Sequence, residues 1–468
     1  MGIAYLIGIL LLLVSLRVRA PLIENWACGS ARTAPLIATG ITLWLVASFA
    51  FELHVIGAAA RAQPGPAWQR ALPLALLTPT WKPNADTTPY LGTIVQLFAF
   101  SHTALLVALA GVLTRLQAGV WFVRALVLGG GAALGAEAFF ASIADADTYL
   151  YVAHGLSADA YRPDRAALAG ADAALAELWG RPSLPSAYGP LWNALERTVA
   201  SRSTELGVQL QLFRCVGFAA MCASIAALAA MRRTVAVALF ALNPMLWFTY
   251  VAQAHNDITG LALVLAALAL RRIPAAAVVL VALAGAIKLP FLAVGIVVFA
   301  GAPNLRTRVL YGSAAVALGL AFSAAFGGIE YVRALQHVVR VTGTQLPLAL
   351  NVTHATLALL GLAGLAVAVF ARRFAWGVPW SFVAFGQYSC WQYLGWGIPY
   401  ALLDGTQGAL YLAALPFAQY EVNLAFDYTP LYLTTSALLV ISLAVTLVLS
   451  LRHGRLTAES RHPEPAEG

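Results

Sequence analysis

Charged residues are scarce in this chain. Of its 468 residues only 10% are Asp, Glu, Lys or Arg, whereas 61% are hydrophobic. A soluble domain carries about 25% charged residues, so the composition excludes that class. Many apolar runs approach the ~20 residues that a helix needs to cross a bilayer. A membrane barrel would instead show alternating segments of ~10 residues. The sequence therefore predicts an all-α, polytopic integral membrane protein.

Cysteine and lysine are also rare. The four cysteines are Cys28, Cys215, Cys222 and Cys390. None is paired at metal-ligand spacing, so we predict neither a disulfide nor a zinc site. Lysine occurs only at Lys82 and Lys288. In a membrane protein the net charge of +8 indicates basic cytoplasmic loops rather than a nucleic-acid partner.

The apolar runs predict about 13 membrane-spanning helices in a single domain, residues 1–452. They lie near 3–18, 35–59, 91–114, 120–144, 206–230, 234–253, 257–270, 274–288, 290–302, 308–327, 352–371, 375–390, short segments within 391–420, and 430–451. The longest polar connection, about 145–205, is predicted to be a large outer loop with a short surface helix at Ala166–Leu178. The polar tail, 453–468, is predicted to be disordered.

Paired arginines predict the orientation. They occur at Arg232-Arg233, Arg271-Arg272, Arg306 with Arg308, and Arg372-Arg373. Even numbers of predicted spans separate them, so they share one side, which is the cytoplasm by the positive-inside rule. The opposite helix ends hold the outer loop, His255-Asn256-Asp257, Lys288 and the loop from Gly328 to Leu350. We expect a protein of the bacterial inner membrane whose polar site faces the periplasm or cell exterior.

The first polar concentration runs from Asp145 to Gly155. Two carboxylates at the mouth of a membrane helix are costly to place. On a helix, Asp147, Tyr151 and His154 share one face, whereas Asp145 is expected to point elsewhere. We interpret Asp147 as the reactive group of an enzyme, with Asp145 as the second choice. The alternative is an acidic helix end resting among lipid headgroups.

Two further segments carry chemistry at predicted helix ends. His255, Asn256 and Asp257 are consecutive; a structural alternative is interhelical hydrogen bonding, worth ~0.6–2 kcal/mol per contact. Lys288 lies on the side that basic residues avoid, which favours a lipid-linked phosphate as its partner. The alternative for Lys288 is snorkelling to the interface.

Two more candidate binding segments are less specific. Tyr188 belongs to a Tyr-Gly-Pro-Leu-Trp run, which would equally suit an anchored interfacial turn. Arg333, His337 and Arg340 are spaced i, i+4, i+7 and could hold a phosphate. The alternative for those three is an amphipathic helix lying in the interface.

Taken together, these motifs resemble a known family. They are the run from Asp147 to Gly155, the run from Tyr188 to Trp192, Asn243-Pro244 leading to His255-Asn256-Asp257, Lys288-Leu289-Pro290, and Trp391 to Pro399. Their order and spacing resemble the polyprenol-phosphate-mannose-dependent α-1,6-mannosyltransferases of the actinobacterial lipomannan pathway, which are GT-C glycosyltransferases. The likeness covers residues 140–400. In that family the loop aspartate follows the first helix, whereas about four predicted spans precede it here.

The resemblance implies a multi-spanning enzyme with its active site facing away from the cytoplasm and a polyprenyl-phosphate sugar donor. The resemblance also implies that Asp147 is the general base. As a mechanism we expect an inverting transfer of mannose to a hydroxyl of a glycan or lipid-linked acceptor, because a single displacement converts a β-linked donor into an α product. Such transfer needs a base for the acceptor hydroxyl and charge neutralisation at the leaving phosphate. His255 and Asp257 would then position the sugar or the acceptor. No ligand spacing demands a metal ion, and a divalent cation on Asp147 and Asp257 stays open.

Two other classes compete with the enzyme hypothesis. A flippase or transporter of polyprenyl-linked sugars would bury ionisable groups near the midplane and would often show an internal repeat. Here the ionisable groups collect at helix ends and no repeat is visible, which favours catalysis. A non-catalytic assembly subunit would tolerate replacement of Asp147.

Overall fold

The computed structural model describes residues 34–59, 88–115, 120–141, 145–163, 184–342, 354–370, 391–403 and 411–416, with Arg372, Phe374 and Gly377 as isolated positions. Every regular element among them is helical and no strand occurs in these ranges. The all-α prediction is therefore confirmed. The predicted spans near 3–18 and 430–451, the surface helix at 166–178 and the tail lie outside the described residues, and of the predicted span 375–390 only Gly377 is described.

The α-helices of the described ranges are α1 (Ala34–Ala59), α2 (Thr88–Arg115), α3 (Val120–Phe139), α4 (Ala146–Leu156), α5 (Pro190–Ala200), α6 (Leu206–Ala230), α7 (Thr234–Ala241), α8 (Pro244–Trp247), α9 (Asp257–Ala269), α10 (Pro274–Ile287), α11 (Phe291–Gly295), α12 (Leu305–Thr342), α13 (His354–Phe370) and α14 (Ile398–Leu403), and residues 411–416 are helical as well. A π-helix, Phe248–Ala252, continues α8. The 3₁₀-helices are Ile296–Gly301 after α11 and Trp391–Gly397 before α14.

Four of these helices are long and apolar enough to cross a membrane, namely α1, α3, α6 and α12. A fifth span results if α7 and the α8–π segment, bent by 58°, cross as one broken helix. This is a multi-pass membrane protein. The count of about 13 spans stays a prediction, because several apolar helices in the described ranges are shorter than 18 residues and other parts of the chain are not described.

The helices pack in two connected groups. In the first, α1 packs on α2 and α3; in the second, α6 packs on α9, α9 on α10, and α10 on α12. Close approach depends on small residues, as is common between membrane helices. A Cβ at Gly217 would lie 2.2 Å from the carbonyl oxygen of Tyr250, and one at Gly260 would lie 2.3 Å from the ring of Phe291.

Two short helices, α4 and α5, cover one end of the second group. They pack on each other, α4 also packs on α6, and α5 also packs on α10. The backbone N–H of Gly189, just before α5, donates to the carbonyl of Ile287 at the end of α10 (2.9 Å). A Cβ at Gly189 would lie 2.1 Å from the carbonyl oxygen of Ala286, so only glycine allows this contact.

The candidate site and two of the arginine pairs, Arg232-Arg233 and Arg271-Arg272, lie at opposite helix ends. The α4–α5 end is where α6 and α9 begin and α10 finishes. Arg232 follows α6, and Arg271 with Arg272 forms the turn between α9 and α10. This separation agrees with the alternation that the sequence predicts.

Helix α12 is longer than its predicted span of 308–327. Gly328 interrupts it with φ 58° and ψ −158°, a left-handed conformation that glycine adopts readily. The helix resumes beyond this kink and carries the Arg333–Arg340 segment.

Candidate active site

The first carboxylate of the site caps helix α4. Asp145 has extended backbone angles and its Oδ1 accepts a hydrogen bond from the N–H of Asp147 (3.1 Å). The expectation that Asp145 points away from Asp147 is wrong, because Asp145 precedes the helix rather than belonging to it. Its side chain folds over the first turn, as N-cap residues do. The Asp145 and Asp147 side chains are 27% and 20% exposed.

Both carboxylates converge on His255. Its Nε2 lies 3.4 Å from Oδ2 of Asp145, and its Nδ1 lies 3.3 Å from Oδ2 of Asp147. The imidazole is 2% exposed. With both ring nitrogens directed at carboxylates, the doubly protonated imidazolium matches the arrangement.

The electrostatics of this trio follow from the contacts. Burial by itself lowers the pKa of His255, but the hydrogen bonds and charges of Asp145 and Asp147 outweigh it and raise that pKa to about 10. Burial also raises the pKa of Asp145, yet the adjacent His255 holds it below its ordinary value. His255 is therefore cationic at neutral pH.

A strained turn places His255 in this position. The π-helix ends at Ala252, and Ala254 has φ 53°, which is unusual for a residue other than glycine. Both π-helical turns and left-handed residues concentrate at functional sites. Helical spacing alone would put Tyr250, Gln253 and Asp257 on one face. They do not share one helix, because the turn ends the π-helix and Asp257 begins α9.

Helix α4 is fastened to the same turn by two hydrogen bonds. The hydroxyl of Thr148 donates to the carbonyl of Gln253 (2.7 Å), and the N–H of Asn256 donates to the hydroxyl of Tyr151 (3.3 Å). Asn256 is 1% exposed, and the nitrogen and oxygen of its side-chain amide have no hydrogen-bond partner among the described residues. The carboxylates and the imidazole thus sit on two segments that are held in register.

The other candidates on α4 are packing residues. Tyr151 is fully buried against the rings of Tyr188, Trp192 and Phe213. His154 is buried as well, and its Nε2 lies 2.8 Å from the carbonyl oxygen of Leu184. The predicted shared face of Asp147, Tyr151 and His154 therefore packs on the segment 184–196, and of these three side chains only Asp147 stays partly exposed.

His154 also contacts a residue that the sequence did not single out. Its Nδ1 lies 3.5 Å from Oε1 of Glu196 on α5, and neither side chain is exposed. Burial raises the pKa of Glu196 to about 7, while the neighbouring His154 opposes the rise. The pair joins α4 to α5 behind the site.

A second ion pair lies beside the first cluster. Nζ of Lys288 is 3.0 and 3.2 Å from the two carboxylate oxygens of Asp257. The indole N–H of Trp396 donates to the same carboxylate (2.8 Å). Asp257 is 1% exposed and Lys288 is 12% exposed, so the carboxylate lies inside and the ammonium lies at the rim.

Aromatic rings surround that ammonium. Its distances to the ring centroids are 5.7 Å for Tyr188, 4.6 Å for Tyr393 and 5.5 Å for Trp396. Such positions over ring faces stabilise a cation. Tyr393 and Trp396 were recognised in the sequence only as part of an aromatic segment. Their separation of more than 100 residues from Lys288 offered no local signal of this contact.

The predicted Arg333, His337 and Arg340 set lies on α12 beyond Gly328. Arg333 donates to Oε1 of Glu330 (2.7 Å), and His337 is exposed beside a pocket. Arg340 lies on the helix, but its side chain is outside the described part. None of the ion pairs described above joins this set to Lys288 or Asp147.

A metal site is not formed by the described residues. They contain no group of three or more His, Cys, Asp or Glu side chains that could hold an ion. Both oxygens of Asp257 face Lys288, whereas Asp147 faces His255. The two aspartates that the sequence left open as cation ligands thus have different partners.

The fold and the site define a multi-pass membrane protein with an acidic and cationic cluster at one end of its helices. A family model described as alpha-(1->6)-mannopyranosyltransferase, N-terminal domain, matches residues 42–303. This range exceeds half of the chain and includes Asp145, Asp147, His255, Asp257 and Lys288. Comparison with curated proteins and with solved structures found no match.

The chain belongs to this alpha-(1->6)-mannopyranosyltransferase family. It is accordingly an enzyme, a glycosyltransferase that transfers mannosyl groups. The resemblance seen in the sequence motifs is confirmed by this match, and the enzyme class prevails over the transporter and assembly alternatives.

Proposed function

We propose that this enzyme transfers mannose, with inversion, from a polyprenyl-phosphate donor to a hydroxyl of a glycan or lipid-linked acceptor. The observation that carries the proposal is the convergence of Asp145 and Asp147 on the buried His255 at the rim of the helix bundle. A carboxylate that is held in place yet partly exposed is what a general base for an incoming hydroxyl requires.

Asp147 is the base in this proposal, and Asp145 positions it. Asp145 uses one oxygen to cap α4 and directs the other toward His255. Asp147 stands one residue inside the helix, where its carboxylate takes no part in the cap. The cationic His255 holds both groups and fixes the direction of the Asp147 carboxylate.

The reaction is a single displacement. The acceptor hydroxyl gives its proton to the Asp147 carboxylate while its oxygen bonds to the anomeric carbon. The bond from that carbon to the phosphate oxygen breaks, and its electron pair leaves with the polyprenyl phosphate. A β-linked donor thereby yields an α-linked mannoside.

Lys288 neutralises the leaving phosphate in this proposal. Its ammonium is held by Asp257 and the aromatic rings, yet it reaches the rim of the cluster. An ammonium has three donors, and an arrangement fixed before the reaction stabilises developing charge at little reorganisation cost. The side-chain amide of the buried Asn256, which has no hydrogen-bond partner among the described residues, is the candidate to bind the sugar hydroxyls.

We further propose that the site faces the periplasm or the cell exterior of a bacterial inner membrane. The arginine pairs at the opposite helix ends support this orientation through the positive-inside rule. A polyprenyl-linked donor carries its sugar at the membrane surface, which suits a site built at helix ends.

The test is reconstitution with defined substrates. Purified protein is incubated with labelled polyprenyl-phosphate mannose and a short α-1,6-linked mannoside, and GDP-mannose serves as the control donor. We expect an α-1,6-linked product from the lipid donor alone, with its linkage read by NMR. Transfer from GDP-mannose alone would contradict the proposed donor, and a β-linked product would contradict inversion.

A further inference from the structure

A pocket of about 370 Å³ opens beside the candidate site. Its lining residues are Tyr161, Pro185, Arg333, Ala334, Gln336 and His337. Its walls are formed by α12 beyond Gly328, by Tyr161 and by Pro185. Asp145, Asp147 and His255 do not line it. Its size falls within the ~300–1,000 Å³ of small-molecule sites.

One hydrogen bond connects this pocket to the site. The hydroxyl of Tyr161 donates to the carbonyl of Tyr188 (3.3 Å). The ring of Tyr188 in turn faces Lys288 and packs on Tyr151 of α4. Tyr188 therefore connects Tyr161 in the pocket wall to Lys288 at the site, and a glycan of several sugar units is long enough to extend past one residue.

The lining combines ring surface with directional donors. The rings of Tyr161 and Tyr331 pack together with centroids 5.4 Å apart, which gives the pocket a fixed aromatic wall. Arg333, Gln336 and His337 supply guanidinium, amide and imidazole groups. A sugar ring offers an apolar face of C–H groups and an edge of hydroxyls, so this mixture matches a carbohydrate.

The guanidinium among the lining residues already has a partner. Arg333 donates to Oε1 of Glu330, and Nε of Arg162 donates to Oε2 of the same carboxylate, both at 2.7 Å. The side-chain amide of Gln336 and the imidazole of His337 are the other polar side chains that sequence position places on α12 in this lining. Amide and imidazole groups suit a neutral, hydroxyl-rich ligand.

We propose that this pocket is a remote acceptor subsite, which holds a sugar unit of the growing glycan away from the hydroxyl that reacts. The proposal rests on the glycosyl transfer proposed above and names the part of the acceptor that the enzyme recognises. It assigns Gln336 and His337 to glycan binding rather than to the donor phosphate.

Acceptor length provides the kinetic test. The ratio of kcat/KM for an α-1,6-linked mannotetraose to that for the mannobiose is measured in the full-length enzyme and in Gln336→Trp and His337→Ala. Gln336 and His337 are exposed, so neither change disturbs the core. The matched control is Val332→Trp, an exposed position one helical turn earlier that does not line the pocket.

The expected result is a preference for the tetraose in the unmodified enzyme that falls by roughly tenfold in both pocket variants, the loss of about one well-formed contact. Val332→Trp should keep the preference. The ratio within each variant cancels differences in active protein. Equal use of both acceptors by the unmodified enzyme, or an unchanged ratio in the pocket variants, would overturn the proposal.

Two further measurements separate this subsite from the reaction itself. A rise in donor KM in the pocket variants, equal for both acceptors, would assign the pocket to the polyprenyl phosphate and refute a glycan subsite. Calorimetric binding of mannotetraose to the protein without donor needs no turnover. Binding that is lost in Gln336→Trp supports the subsite even if the proposed donor is wrong, and binding that is unchanged refutes it.

Discussion

Replacement of Asp147 by Asn tests the chemistry most directly. The change keeps the size of the side chain and removes the group that accepts the proton. General-base catalysis contributes ~10²–10⁴-fold, so turnover should fall by that factor, equivalent to about 3–5 kcal/mol in the barrier. Donor binding should persist, because the proposed phosphate ligand Lys288 is paired with Asp257, whereas Asp147 is paired with His255.

Asp145→Asn is the matched control. Each substitution removes one carboxylate from the same imidazole, at similar distances of 3.4 and 3.3 Å, so the structural cost to His255 is shared. Asn caps a helix about as well as Asp, so α4 keeps its N-cap in Asp145→Asn. The ratio of the two activities therefore reports the base itself, and we expect Asp145→Asn to retain far more activity.

The assay is transfer of labelled mannose at equal amounts of folded, monodisperse protein, with donor binding measured separately. If Asp145→Asn is inactive while Asp147→Asn is active, the two roles are exchanged and the enzyme class stands. If both variants remain fully active, the catalytic interpretation of this stretch fails.

The remaining predictions concern the second ion pair, the pH dependence and the orientation. Lys288→Met alone should be destabilising by about 3–5 kcal/mol, because it leaves the buried Asp257 carboxylate unpaired. The double variant with Asp257→Asn should recover stability in a thermal melt but still show a raised donor KM. His255 has its pKa raised to about 10 from 6.5, so its stabilising contribution is complete below pH 6.5 and is lost as the pH rises through 10. The melting temperature of the unmodified enzyme should therefore fall between pH 7 and 10. In His255→Gln the melting temperature should change much less over the same range. In a cysteine-free background, an impermeant maleimide should label Ala158→Cys but not Arg272→Cys on intact cells.

Each of these three predictions can be contradicted by its own measurement. A double variant with the donor KM of the unmodified enzyme would make Lys288 only the partner of Asp257. An equal fall in melting temperature in His255→Gln would show that other groups govern the alkaline transition. Equal labelling at the two cysteine positions would overturn the orientation.

The positions of the helices were readable from the sequence because they follow from local hydrophobicity. The span predicted at 206–230 matches α6, and that predicted at 257–270 ends one residue beyond α9. A run of apolar residues must satisfy its own backbone hydrogen bonds in a bilayer, so each run determines a helix without reference to the others. Asp147, His255, Asp257 and Lys288 were also identifiable, because ionisable groups at apolar helix ends are costly.

The pairing of those groups was decided only by the tertiary structure. His255 reaches both Asp145 and Asp147, and Trp396 reaches Asp257 across 139 positions of the chain. Helical spacing predicted that Asp145 points away from the site. That prediction failed because Asp145 is the N-cap residue and lies outside the helix. Helical spacing also gave no sign of the π-helix that ends at Ala252 or of the left-handed Ala254 that follows it. Spacing along one helix describes neighbours within that helix, whereas these contacts depend on how α4, the 253–257 turn and α10 pack.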